Sequence, residues 1–187
     1  SSYTEVYDHY GLLGSRSLFA HGLQLSEAEF ELLGARASSI AFCPTSNLFL
    51  GSGLFALEKA RAARVKVAIG TDVGAGTSFS VLRTLSEAYK VLQLQGRSLS
   101  PHEALYLATL GGARALSLDS RIGNFAPGKE ADFVVHELDA TPLMAMRAES
   151  ARPLEERPFA FVMLGDDRSV HATYVNGKLA YQRQGFL

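Results

Sequence analysis

The chain has 187 residues, 47% hydrophobic and 20% charged, a composition that excludes disorder and low-complexity repeats and fits a globular fold. Lys and Arg total 18 against 19 Asp and Glu with no run of like charge, which excludes the footprint of a nucleic-acid or membrane-surface protein and favours a small ligand. The single cysteine, Cys43, excludes an intrachain disulfide and a Cys-rich zinc ribbon. With no transmembrane-length apolar stretch and no signal-peptide pattern after Ser1, a cytoplasmic protein is expected. The first methionine is Met144, so a longer translation product is expected as well.

Three short apolar runs have the length of strands: Leu18-Phe19-Ala20-His21, Ile40-Ala41-Phe42-Cys43 and Val65-Lys66-Val67-Ala68-Ile69. Each precedes a loop and a helix-like segment. Ser26-Glu27-Ala28-Glu29 is a capping box that opens the first helix. The Ala- and Leu-rich stretch from Gly53 to Arg64 predicts the second. A third is predicted from near Ser78 to about Gln95, where Val81, Leu82, Leu85, Ala88, Tyr89 and Leu92 form an apolar stripe at helical spacing. Such alternation implies an α/β fold with parallel strands joined by right-handed crossovers.

The second half changes character. Ser100-Pro101-His102-Glu103 starts a helix that is predicted to continue through Gly111-Gly112-Ala113. Gly123, Pro127 and Gly128 mark turns, and Asp132-Phe133-Val134-Val135-His136 reads as a strand. Asn176-Gly177 between Ala172–Val175 and Lys178–Tyr181 is a hairpin signal, because a two-residue turn of this kind needs positive φ at both positions. The expected division is an α/β region over 1–115 and a mostly β region with a packing helix over 116–187.

The polar residues that end the first three strands are His21, the run Cys43-Pro44-Thr45-Ser46-Asn47, and Thr71-Asp72. Barrel enzymes build their sites on that face. The glycine-rich phosphate loop of a dinucleotide-binding sheet is missing after the first strand. His21 and Asp72 each also fit a bland role, as a hydrogen-bonded buried histidine and as an aspartate bonded to its own loop. Their shared strand-end position favours a metal site or a general base. Catalytic zinc needs three protein ligands, and His9, His102, His136 and His171 lack metal-site spacing. Cys43 reads as a small hydrophobe, and no GxSxG elbow is present.

Several segments carry a closer likeness: Phe19-Ala20-His21-Gly22 with Leu25-Ser26 and Glu29, Cys43-Pro44-Thr45-Ser46-Asn47-Leu48, and Gly70-Thr71-Asp72-Val73-Gly74. Leu110-Gly111-Gly112, Ile122-Gly123-Asn124-Phe125 and Leu164-Gly165-Asp166-Asp167-Arg168 add to them. On these the chain resembles the C-terminal half of the guanine deaminase family, within the amidohydrolase superfamily. The resemblance implies the last three strand–helix units of a (β/α)8 barrel and part of a small β-sandwich domain. It implies hydrolysis of guanine to xanthine and ammonia, with one Zn2+, or Fe2+, per complete active site. Asp72 would be a metal ligand that also contacts substrate and shuttles the proton, and His21 would hold the attacking water by hydrogen bond. A missing N-terminal half of the barrel and a second copy in a homodimer are the implied partners. Phe42 departs from the pattern, since the family often has histidine before Cys-Pro. Two other readings remain open: a non-catalytic fragment or assembly element, and a related amidohydrolase acting on another purine or a triazine.

Overall fold

Large and small apolar residues alternate in the first three strands, and that alternation orients the first sheet. The computed structural model describes residues 2–150 and 156–184. Its strands β1 (Leu18–Ala20), β2 (Ser39–Phe42) and β3 (Lys66–Ile69) pair in parallel in the order β1-β2-β3. The register aligns Phe19, Ile40 and Val67 in one row and Ala20, Ala41 and Ala68 in the next. Successive residues face opposite sides of a sheet, so the large row packs into the core and the alanine row lines the other face. Ile40 and Phe42 are fully buried, and the Phe42 ring stands 5.0 Å from that of Phe55. The Phe42 departure is therefore a core substitution. Cys43 lies with the alanines, since a Cβ built at Gly70 would meet its Sγ at 3.0 Å and Ala41 Cβ at 3.6 Å.

Helices cover the large-residue face. They are α1 (Tyr3–His9), α2 (Glu27–Ala35), α3 (Pro44–Phe49), α4 (Leu57–Ala62), α5 (Val81–Gln93), α6 (Pro101–Ala108) and α7 (Leu110–Ala115). The α5 stripe buries Leu82, Leu85, Ala88, Val91 and Leu92, and each Leu or Val removed from water contributes about 1.5–3 kcal/mol. Its start is fixed by Ser80, whose side chain accepts from the Arg83 amide. Gly34 lets α2 approach the end of α4, because a Cβ there would fall 1.8 Å from the Ala63 carbonyl oxygen.

The structure corrects four expectations. The helix predicted over 53–64 is confined to Leu57–Ala62, because Gly53 has φ +123° and Phe55 is drawn fully into the core. The expected loop after Cys43 is α3, which begins on Pro44 at a position where a missing amide costs no hydrogen bond. The helix expected to run through Gly111 breaks at Thr109 (φ −124°, ψ −101°), and α7 returns so closely that a Cβ at Gly111 would lie 2.8 Å from the Tyr106 carbonyl. Helix α1, not foreseen, carries its own capping box of Ser2 and Glu5.

A second, antiparallel sheet contains β4 (Phe133–His136), β5 (Val170–Val175) and β6 (Lys178–Gln182) in that order. Asn176 (φ +49°) and Gly177 (φ +72°) make the expected hairpin turn. Two helices, α8 (Pro142–Ser150) and α9 (Glu156–Leu164), stand where one packing helix was expected. Their Met144, Phe161 and Val162 enter the same core as the α5 stripe, so this part of the chain is packed against the first sheet's helices.

Candidate active site

The C-terminal ends of the three parallel strands bring His21, Cys43 and Asp72 together. One potential ligand atom from each lies within 4.8 Å of the other two, and this is the single such group of three among the described residues. His21 directly follows β1, with its amide donating to the Ala41 carbonyl at 3.0 Å, so the ladder with β2 continues to the site. Asp72 lies three residues beyond β3. His21 Nε2 is 3.7 Å from Asp72 Oδ2, and both side chains are more than a third exposed. The two residues named from sequence thus share one small space.

Both are held in the left-handed backbone region, His21 at φ +70° and Asp72 at φ +49°. Residues other than glycine seldom adopt it, and such strain persists only where surrounding bonds fix it. Around Asp72 the fixing bond is a tight turn in which the Gly76 amide donates to the Asp72 carbonyl at 2.5 Å. Only glycine fits there, since a Cβ at position 76 would stand 1.9 Å from the Thr71 carbonyl oxygen. Around His21 the fixing contact comes from α3. Its Nδ1 lies 2.7 Å from Asn47 Oδ1, and Asn47 is 2% exposed. The carboxamide oxygen accepts, so Nδ1 carries the proton and Nε2 faces Asp72.

Asn47 had no role assigned from sequence. The available signal was a buried-looking polar run, Thr45-Ser46-Asn47, straight after a strand and a proline; all three are buried. Cys43 is also in the group, but burial first and the Asp72 charge second push its thiol up to about 11. In that buried setting its resting form is the thiol. It donates weakly to the Ala41 carbonyl at 3.4 Å. An open cleft of about 550 Å3 borders His21 and Asn47 and reaches Thr4, Glu29, Leu50 and Ser52.

The donor chemistry fits a metal ion in part. Asp72 offers an anionic oxygen suited to a divalent cation, and His21 Nε2 is free to hydrogen-bond beside it. Asp72 and His21 are the two part-exposed donors of the group and Cys43 is buried, so the part-exposed donors number one fewer than the three protein ligands of catalytic zinc. Of the other histidines, His171 Nδ1 pairs with Glu137 at 2.9 Å and His136 stacks edge-on against Phe161, both away from this group.

Comparison with known proteins agrees with the geometry. The model of the amidohydrolase family matches residues 1–180. Guanine deaminase of Escherichia coli (strain K12) is 59% identical over 181 residues, covering 97% of this chain and 41% of that protein. Its solved structure superposes with a TM-score of 0.95 over 97% of this chain and 43% of its own. Guanine deaminase from C. acetobutylicum, solved with guanine in its active site, gives a TM-score of 0.81 at 32% identity over 96% of this chain and 42% of its own. The chain therefore spans about two-fifths of the length of the curated relatives it matches. On its strands, its site and these matches, the chain belongs to the amidohydrolase family.

Proposed function

We propose that this chain is the C-terminal half of a guanine deaminase, supplying part of a site that hydrolyses guanine to xanthine and ammonia. Residues 1–115 would be the last three strand–helix units of a (β/α)8 barrel, and 116–187 a mostly β portion, with packing helices, of a small β-sandwich domain. The single observation that carries the reading is the 3.7 Å approach of His21 Nε2 to Asp72 Oδ2 on the carboxyl side of parallel strands. The 59% identity to the E. coli enzyme sets the substrate above other purines and triazines.

In this reading Asp72 holds a divalent ion, Zn2+ or Fe2+, one per complete site. When bound, the ion lowers the pKa of a coordinated water so that it can attack at neutral pH. A carboxylate oxygen of Asp72 would take a proton from the attacking water and pass it to the departing amine, which leaves as ammonia, contacting the substrate as it does so. His21 Nε2 hydrogen-bonds the attacking oxygen and aims it. The remaining ligands and the residues that read the purine come from a complementary half, which also covers the outer edges of β1 and β3. A homodimer of the whole enzyme, in a reducing cytoplasm that suits the buried Cys43 thiol, completes the proposal.

The test joins the chain to the portion of the E. coli relative that it does not cover. The joined protein should bind about one equivalent of metal and release ammonia from guanine, whereas the 187-residue chain alone should do neither and should self-associate through its unpaired edges. A chain that deaminates guanine as a monomer, or a joined protein that binds metal without turning over guanine, overturns the proposal.

A further inference from the structure

We infer that Asn47 is a positioning residue for the reaction. Through its carboxamide it holds the His21 ring in the tautomer and orientation that present Nε2 to Asp72 and the attacking oxygen. The inference rests on the guanine deaminase reading for its activity arm and on the geometry alone for its spectroscopic arm.

Four observations converge on Asn47. It is 2% exposed, so its polar atoms have left water and each needs a partner. Its Oδ1 meets His21 Nδ1 at 2.7 Å, a bond that links two elements twenty-six residues apart. Its backbone is fixed at both ends, with the Asn47 amide donating to the Cys43 carbonyl at 3.1 Å and the Asn47 carbonyl accepting from the Ser52 amide at 2.8 Å. Its Nδ2 has no acceptor among the described residues. An unpaired buried donor costs about 1–3 kcal/mol, so a purely structural role would favour an apolar residue of the same size. Asn47 stands in a place where its unpaired donor weakens the core, and the side-chain bond it makes goes to a residue of the site.

The chemical consequence follows from the two ring nitrogens. A neutral imidazole has one donor and one acceptor, and whichever nitrogen is bonded to an acceptor must carry the proton. In the neutral ring, Oδ1 accepting from Nδ1 leaves Nε2 as the lone-pair nitrogen on the Asp72 side. His21 can then accept a hydrogen bond from the attacking water while Asp72 takes the other proton. If His21 loses Asn47, its ring keeps its place after β1, but nothing fixes its rotation or its tautomer. Asn47 acts on the reacting atoms only through His21.

The experiment uses the joined protein described above, saturated with zinc. Asn47→Leu removes both polar atoms at similar volume and relieves the unpaired Nδ2, so the fold should be kept. Its kcat on guanine should fall about 10–100-fold with KM changed less than about twofold. Asn47→Asp, which keeps an acceptor oxygen toward Nδ1, should recover most of that loss. Nitrogen-15 shifts of His21 in the parent should report protonation at Nδ1, and in Asn47→Leu a mixture of tautomers. A kcat for Asn47→Leu within about twofold of the parent, or a parent His21 protonated at Nε2, overturns the inference. If the joined protein fails to turn over guanine, the functional reading fails, and the nitrogen shifts still decide the role of Asn47.

Discussion

The two three-stranded sheets of this chain are held by different forces. The parallel sheet has Ile40 and Phe42 fully buried at its centre, a helical layer on one face, and left-handed His21 and Asp72 at its carboxyl edge. In the antiparallel sheet only Ala172 counts among the buried apolar residues. Val134, Val135, Val175, Leu179 and Tyr181 are each at least 40% exposed. Its order comes from ladder bonds and from charges: Glu137 accepts from both Arg183 and His171, and Arg183 also reaches the Arg168 carbonyl. Exposed ion pairs of that kind contribute about 0–1 kcal/mol each. Among the described residues the first sheet is a packed layer with open lateral edges, and the second is a sheet with most of its apolar side chains exposed.

The contrast is sharpest at Asp72. Asp72→Asn keeps the shape and removes the base, so guanine turnover by the joined protein should fall about 10²–10⁴-fold, read as ammonia release. His21→Asn should cost less if, as proposed, His21 orients the water and does not take its proton. A larger loss at His21 than at Asp72 would reverse the roles given to the two residues.

Packing of the first sheet gives the next effect. Phe42 is fully buried, and its ring meets Phe55 at 5.0 Å. Phe42→Ala should cost about 3–5 kcal/mol of stability by urea unfolding of the joined protein, with the His21–Asp72 pair untouched until the fold is lost. Activity that disappears while the protein remains folded would place Phe42 in the site after all.

Much of this first layer was legible in the sequence, because its strands are short apolar runs and the starts of α2 and α6 carry Ser-x-x-Glu at Ser26 and Ser100. The strand ends were found within a residue or two, and the meeting of His21 and Asp72 was legible too, since a polar residue closing an apolar strand is a local signal. Asn47 was not legible. Its role depends on α3 turning back toward the end of β1, a tertiary approach that no local pattern encodes. The break at Thr109 escaped as well, since the helical spacing runs on through it while the close contact of Gly111 with Tyr106 turns the chain. Helix α1 did carry a readable signal in Ser2-Tyr3-Thr4-Glu5, the same box that was recognised at Ser26.

Glu29 gives a smaller, pH-dependent effect. Its carboxylate accepts from the Ser26 amide at 2.9 Å, the Ser26 hydroxyl at 2.8 Å and Thr4 Oγ1 at 3.0 Å, tying α1 to α2. The Ser26 backbone bond first, then the hydroxyl bonds, draw its pKa down to about 2 from an ordinary 4.5. A depressed carboxylate stabilises the fold fully above its unfolded value. That contribution is lost as pH falls from about 4.5 toward 2. Glu29→Gln should cost about 1 kcal/mol at pH 7 and should flatten the part of the stability curve that falls between these two pH values. An unchanged acid limb in that variant would assign it to other carboxylates.

The smallest effect belongs to β6, whose five residues are all exposed. Tyr181 stands opposite Thr173 on β5, and one such cross-strand pair contributes about 0.2–1 kcal/mol. In the 187-residue chain alone, Tyr181→Ser should therefore change stability by no more than about 0.5 kcal/mol, like other surface substitutions. In the joined protein the same substitution should cost about 1.5–3 kcal/mol, because a facing layer would take the ring out of water. The difference between the two measurements reports the missing layer directly. If both stay near 0.5 kcal/mol, the antiparallel sheet remains single-layered in the complete enzyme, and the β-sandwich part of the proposal fails while the site at the parallel sheet stands.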